Sequence, residues 1–491
     1  MINIIRYPLK RSVLSLPIFA GCLLLTGCVV GPDYQKPNFF MPSTWGQSSK
    51  ETPPKPAELA GWWRQLNDST LDSLIASSIQ YNTDVASAKA RVREARASLQ
   101  QTTGTLFPSV DGSTSTTRSR SNNSEGSQYR GNFDASWEID LFGANRRAVE
   151  ASRYGLQAAE EELRATMVTL IGDIAQNYVE ARGLQQKIAL AKRSALTQRQ
   201  TANLTKQKFE AGAVSQLDLS NAEGQAASTE ASIPQMEANL ATTIHRLSVL
   251  TGQTPTSLNP LFKITKPIPK VKWPIPSGIP ADILLTRPDL RVLERQYAQS
   301  TARVGQKEAD RYPSLTLSGN VSTSATQIGD LGKNSSIGWS VGPNMSIPIF
   351  NAGQRAAAVE IARAQRDQSF IAYQAGVLSA LEDVENALVM LKKERSRSAK
   401  LAQSAVSYRK ALELSRSLYQ GGNTSFLELL TAERSSFSSD QSLIDSQVAI
   451  VTNYISLMKA LGGGWDGTVN TQKREIEDGY TGPHIRKAER P

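Results

Sequence analysis

The stretch that decides the fold is YRGNFDASWEIDL, residues 129–141. Its odd positions are Tyr129, Gly131, Phe133, Ala135, Trp137, Ile139 and Leu141, and its even positions are Arg130, Asn132, Asp134, Ser136, Glu138 and Asp140. One face is largely apolar and the other wholly polar, the period of two expected of a strand between unlike media. A second clear case is IGWSVGPNMSIPI at 337–349, with Ile337, Trp339, Val341, Met345, Ile347 and Ile349 on one face. Weaker partners precede them, PSVDGSTSTTR at 108–118 and PSLTLSGNVSTSA at 313–325. Polar loops SRSNNSEGSQ and TQIGDLGKNS join the members of each pair, so two hairpins are predicted. Strands of this length suit a tilted membrane crossing, which needs roughly 9–11 residues. Membrane barrels start at about eight strands, and an open edge in lipid is very costly. Four strands from one chain therefore have to share a barrel with other copies. That geometry does not set the number of copies. A soluble sandwich is the alternative, and it needs more strands than four.

Between the hairpins lie long helical patterns. From Leu163 the positions Met167, Leu170, Ile174, Asn177, Ala181, Leu184, Ile188, Ala191 and Ala195 keep alternating spacings of four and three. From Tyr373 the series Val377, Ala380, Val384, Ala387 and Leu391 continues past two polar heptad positions to Leu401, Ala405, Tyr408 and Leu412. These are coiled-coil seams. Residues 144–211 hold no proline, and at 1.5 Å per residue such a helix approaches about 100 Å. That length suits a structure crossing a compartment rather than a compact core. Pro234 should kink the first returning helix. Trp62 and Trp63 are expected in a core, and Arg287 and Asp289 are expected to fix the start of a helix after Pro288.

The plan runs twice. FEAGAVSQLDLSNAE at 209–223 and YQGGNTSFLELLTAE at 419–433 share six identities at an offset of 210, including Gly212/Gly422, Ser215/Ser425 and Glu223/Glu433. Gly212 and Gly422 suit left-handed C-caps. Ser215 with Asp218, and Ser425 with Glu428, have capping-box spacing for the helix that follows. Two helical hairpin turns are expected. The expected organisation is a leader at 1–27, an extended segment at 28–60, a first repeat at 61–252, and a linker with seven prolines at 253–280. A second repeat at 281–462 and a mobile tail at 463–491 complete it.

The N-terminus sets the compartment. Arg6, Lys10 and Arg11 precede VLSLPIFAGCLLL, a stretch too short and wrongly flanked to remain as a spanning helix, and it ends in Leu25-Thr26-Gly27-Cys28. This resembles a bacterial lipobox, which implies cleavage before Cys28 and a diacylglycerol and an N-acyl chain on that residue. Cys22 leaves with the leader, so the mature chain is expected to hold no disulfide and no thiol ligand. His245 and His484 lack partners at motif spacing, which gives zinc sites and histidine triads poor support. Of the net charge of +10, three positive residues sit in the leader; the rest spread along helical stretches, and no nucleic-acid partner is expected. Acidic pairs such as Glu160–Glu162 and Glu382–Asp383 read as solvated helix faces, so no enzyme is expected.

Longer motifs then carry a resemblance: GPDYQKP (31–37), GWWRQLNDSTLDSLI (61–75), SWEIDLFGANRR (136–147), IPADILLTRPDLRVLE (279–294) and KEADRYPSLTLSG (307–319). With the two turns, the chain resembles the TolC-like outer-membrane factor family, lipoprotein branch (OprM and NodT type), over about 20–462. The resemblance implies a mixed α+β membrane protein: a homotrimer with a 12-stranded outer-membrane β-barrel, four strands per chain, continuing into an α-helical coiled-coil tunnel in the periplasm. It implies a passive export duct for drugs or other small toxic compounds, with no cofactor beyond the lipid. Its partners would be a periplasmic adaptor and an inner-membrane proton-driven transporter, besides outer-membrane lipid. The alternative is the outlet of a type I protein-secretion or other specialised exporter. Metal export has less support, because the methionines are scattered without a soft-ligand cluster. By the same resemblance Gly212, Ser215, Asp218, Gly422, Ser425 and Glu428 form the tip where the adaptor docks and a gate narrows. At Thr431 the sequence departs from relatives with an acidic gate residue, which leaves Glu428 as the nearest carboxylate.

Overall fold

A computed structural model describes residues 29–39, 59–121, 124–271, 281–464 and 469–476. The leader at 1–27 and Cys28 lie outside the described residues, as do parts of the N-terminal segment, the linker and the tail. The chain is a mixed α+β protein whose described elements gather into two compact units, each drawing on both halves of the sequence.

The first unit comprises the described residues within Met1–Gln35, Ala97–Tyr154 and Tyr297–Ser369 and carries the strands. β1 (Ser109–Ser121), β2 (Ser124–Ile139), β3 (Ser314–Ala325) and β4 (Ile337–Ser346) form one antiparallel sheet in the order β1-β2-β3-β4. Both predicted hairpins are present, and β2 pairs with β3 from Tyr129↔Ala325 to Ile139↔Leu315. The first polar loop is shorter than expected. Most of SRSNNSEGSQ extends the ladder as far as Ser121↔Ser124, because its small polar residues offer nothing that prevents pairing. The predicted ends of β2 and β4 differ as well. Asp140 leaves β2 to accept from the Arg146 amide at 2.9 Å, capping the next helix. β4 stops at Ser346, opposite Ser314, the first residue of β3.

An extended N-terminal segment is bound within this unit. The Val30 amide donates to the Phe142 carbonyl at 3.1 Å. The buried Arg147 guanidinium donates to the carbonyls of Val30 and Gly31, both at 3.2 Å, and to Asp33 at 2.7 Å. Tyr34 packs edge-on against Tyr154 and Tyr297, with ring centroids 5.8 and 5.7 Å away.

The second unit comprises the described residues within Lys36–Arg96, Gly155–Gln296 and Phe370–Pro491. Its helices include α1 (Ser69–Tyr81) and most of α2 (Thr83–Gly104). α3 (Ala144–Glu210) and α6 (Gln354–Gln420) each run 67 residues, and α4 (Gln216–Leu250) and α7 (Phe426–Ala460) each run 35. α5 (Pro288–Ala309) begins in this unit and ends in the first. The helix boundaries are local chemistry. Asp68 accepts from the amides of Thr70 and Leu71 at the start of α1. The Asn82 side chain accepts from Asp84 and Val85 at the start of α2 while donating to the Leu250 carbonyl at the end of α4.

The first seam is buried along its length from Leu163 to Ala195, with Asn177 half-buried. The second is buried from Tyr373 to Leu391 and unevenly beyond, where Ala405 is buried, Leu401 and Leu412 are half-buried and Tyr408 is exposed. Between Leu391 and Leu401 Glu394 accepts from Ser446 at 2.5 Å and pairs with Arg397, so polar contacts interrupt the apolar stripe there. α4 runs continuously through Pro234. A proline removes one amide donor, and the bonds on either side carry the helix past it.

Trp62 and Trp63 are core residues, with Trp62 edge-on to Tyr454 at 6.0 Å. Arg287 does more than precede a helix. It pairs with Asp289 at 2.7 Å and donates to the Ala460 carbonyl at 2.8 Å, joining the start of α5 to the end of α7. The described part of the proline-rich linker contributes Leu258, Phe262 and Ile268 to the core. In the stretch assigned to the tail, Gly463 and Gly464 are buried, and Arg93 donates to the Lys473 carbonyl at 2.8 Å.

Candidate functional site

Two places carry chemistry: the two faces of the sheet and the helical turns. The strand register sorts the faces. One row reads Gly112, Phe133, Val321 and Trp339, and the next reads Val110, Ala135, Gly319 and Val341. Phe133, Trp339 and Val341 are 65%, 75% and 66% exposed. Apolar rows this open belong against lipid or another chain. The opposite face is polar throughout. Asp111 stands across from Asp134, and Asp134 across from Asn320, which donates to it at 2.7 Å. Neighbouring rows on this face are Ser109–Ser136–Ser318 and Ser113–Asn132–Ser322. A sheet with one polar face and one exposed apolar face fits the wall of a water-filled membrane channel. At the end of the sheet nearest the helices, the Trp137 indole donates to the Leu106 carbonyl at 3.1 Å, and Phe142 stacks on Tyr312.

The turns lie in the second unit. Gly212 and Gly422 have φ of +73° and +77°. The Ala213 amide donates to the Lys208 carbonyl and the Asn423 amide to the Leu418 carbonyl, both at 2.8 Å, the Schellman arrangement. Ser215 and Asp218 complete a capping box: each side chain accepts from the other residue's backbone amide, at 3.2 Å in both directions. The second turn makes half of one. Ser425 accepts from the Glu428 amide at 3.3 Å, but the Glu428 carboxylate takes its hydrogen bond from the Thr424 hydroxyl. Glu428 is thus exposed and held by a side chain rather than returned to the N-cap backbone.

Matching positions of the two turns do not have matching surroundings. Phe209 is 36% exposed, whereas its counterpart Tyr419 is 1% exposed and packs on Phe426. Tyr419 shares a hydrogen bond of 2.9 Å with Thr205, and Lys208 donates to the Tyr419 carbonyl from above its ring. Burial pushes the Tyr419 phenol up, opposed by the Thr205 bond. Glu223 is exposed, whereas Glu433 is 5% exposed, accepts from Thr201 at 2.9 Å and lies 3.4 Å from Arg416. Burial raises the Glu433 carboxyl above its usual range; Thr201 and Arg416 pull the other way. Sequence reasoning counted Glu433 among the repeated residues but gave it no role, since nothing local distinguishes it from Glu223. A cleft of about 670 Å³ beside Glu433 is bounded by Gln198, Arg409, Arg416 and Asp440.

These features define a subunit of a channel built from strands and long helices. The chain belongs to the outer membrane efflux protein family, whose model matches residues 74–253 and 279–463. Nodulation protein T of Rhizobium leguminosarum bv. trifolii is 34% identical over 457 residues, covering 92% of this chain and 97% of its own length. Cation efflux system protein CusC of Escherichia coli O6:H1 is 31% identical over 454 residues, covering 91% and 98%. Among solved structures the outer-membrane channel OprN matches with a TM-score of 0.83 at 32% identity, over 89% of this chain and 100% of that one. The family is one of transport channels, not an enzyme class, and its members are outer-membrane components of efflux systems. Function and place follow: this chain is an outer-membrane efflux channel.

Proposed function

We propose that three copies of this chain close a 12-stranded barrel in the outer membrane, and that their long helices form a tunnel into the periplasm. The observation that carries this is the four-stranded sheet with exposed apolar rows on one face and open edges at β1 and β4. Lipid tolerates no unpaired strand edge, so each β4 pairs with the β1 of the next copy. The matched lengths of α3 with α6, and of α4 with α7, support an internal tandem repeat. Three chains then present six helical turns. Gly212, Ser215, Asp218, Gly422, Ser425 and Glu428 make the tip, where a periplasmic adaptor docks and the entrance narrows. Cys28 carries the lipid, which adds an anchor without serving as a catalytic cofactor; a relative described as a probable outer membrane lipoprotein supports this.

The duct is passive. An inner-membrane proton-driven transporter supplies the energy and selects the cargo, here drugs or other small toxic compounds, as the names of efflux relatives support. The test is cysteine crosslinking between β1 and β4 of purified protein, with planar-bilayer conductance. Trimeric ladders and pores are expected; a monomer without pores sinks the barrel. Accumulation of dyes and antibiotics in a deletion strain that lacks other pumps tests the cargo. Unchanged accumulation over a broad panel, with impaired protein export, would move the assignment to the secretion outlet.

A further inference from the structure

The register of β1 places two arginines where an efflux channel has no evident need of them. Val110, Gly112, Thr114 and Thr116 share a face with Ala135, Phe133, Gly131 and Tyr129 across the ladder. Two further steps along that same apolar face bring Arg118 opposite Ser127 and Arg120 opposite Glu125. Alternation therefore turns both guanidinium groups outward, above the apolar rows, and their side chains are 76% and 64% exposed. Glu125 lies 2.9 Å from Arg118 and 3.6 Å from Arg120, which leaves the trio one positive charge in excess.

Depth follows from strand geometry. Ile139 to Tyr129 is ten steps, about 33 Å along the strand and about 25 Å along the membrane normal at a tilt near 40°, the height of an apolar barrel band. Arg118 then stands about 5 Å beyond that band, within a headgroup layer roughly 5–8 Å deep, and Arg120 about 10 Å beyond it, just past that layer but close enough for its long side chain to reach back. Both hairpin connections leave the end of the sheet away from the helices, so this end faces the outer leaflet of the barrel proposed above. Two arginines whose backbones are about 7 Å apart on one face, both reaching the same carboxylate, match a phosphate or two neighbouring phosphates, to which arginine donates in pairs.

We infer that Arg118 and Arg120 bind the phosphate groups of an anionic lipid in the outer leaflet, with Glu125 holding the pair in place until the lipid arrives. The site orients each subunit at the membrane surface. The inference rests on the barrel reading, and conductance separates the two: a chain that forms no pores fails the barrel, whereas one that conducts without retaining lipid fails only this site.

The test uses the full-length protein in phosphatidylcholine bilayers doped with a bisphosphorylated glucosamine-disaccharide lipid or its dephosphorylated form. Retained lipid is counted by native mass spectrometry. Wild type should retain the phosphorylated form in preference, and R118Q/R120Q should lose that preference by about fivefold or more. E125Q, which removes the carboxylate the two arginines share, should strengthen retention by about twofold to fivefold. R130Q removes a cation from the opposite, polar face of β2 and should leave retention unchanged. Equal retention of both lipids by wild type overturns the inference, as does a loss in R130Q matching that in R118Q/R120Q. If the double variant does not assemble, E125Q decides: unchanged retention refutes the site.

Discussion

Gly31→Ala is the sharpest test of how the N-terminal segment is held. Gly31 has φ of +87°, and a Cβ there would lie 2.3 Å from the Gly305 Cα and 3.2 Å from its amide nitrogen. Gly305 sits inside α5, so the obstacle is helix backbone that cannot rotate away. The left-handed conformation alone costs about 1–2 kcal/mol for alanine. Relieving the clash lifts the segment and removes the Val30–Phe142 bond and the three Arg147 contacts to Val30, Gly31 and Asp33. At about 0.5–1.5 kcal/mol for each net hydrogen bond, the four lost bonds come to about 2–6 kcal/mol, while Arg147 keeps its bond to Glu150. That is comparable with everything docking the segment, so it should detach while the helices stay folded. Hydrogen exchange reads this at the Val30 amide, which should exchange faster by about two orders of magnitude or more. Gly305→Ala should act more mildly, because its Cβ meets the Arg147 side chain at 2.8 Å rather than backbone. Val30 exchange within about threefold of wild type in Gly31→Ala would refute the clamp.

Three further outcomes follow from the two faces and the turns. Val341→Arg puts a charge near the middle of the apolar band and should cost about 2–4 kcal/mol per chain in membrane stability, whereas Ser340→Arg on the polar face should spare assembly and change conductance; urea titration in vesicles with bilayer recording compares them. Glu433 has a folded-state pKa raised by burial, so the native state holds the proton more tightly than the unfolded chain, and its contribution weakens as pH rises from the ordinary carboxylate value through the raised one. Glu433→Gln should therefore be most stabilising near neutral pH relative to wild type, with the difference shrinking on acidification; thermal melts at two pH values measure it, and a gap that widens in acid contradicts the assignment. At the second turn, Gly422→Ala meets no atom within 4 Å but forces φ of +77°, about 1–2 kcal/mol of backbone strain. It should disturb adaptor crosslinking more than Glu428→Gln raises the conductance of the closed channel, and a reversed ranking would count against the turn as the docking element.

How far the sequence could be read depended on the range of the forces involved. The strands were legible in Tyr129–Ile139 because alternation reports the two media on either side of a sheet, whatever lies further off. The helix ends at Gly212 and Gly422 were legible because a Schellman turn is closed by residues within five of one another. The extent of the first hairpin was misread, since serine and asparagine signal a loop yet pair readily once the flanking ladder is in register.

By itself the sequence determined the periods, the caps, the two hairpins and the duplicated turns, all set by neighbours along the chain. Tertiary structure alone decided which half each copy of a residue serves. Tyr419 and Glu433 are buried against α3, while Phe209 and Glu223 at the matching positions are exposed. It also decided that β2 joins β3 across some 180 residues of chain, and that Arg147 closes over Val30 and Gly31. Burial and long-range pairing depend on what packs from elsewhere, and a repeated motif carries no mark of which copy will be covered.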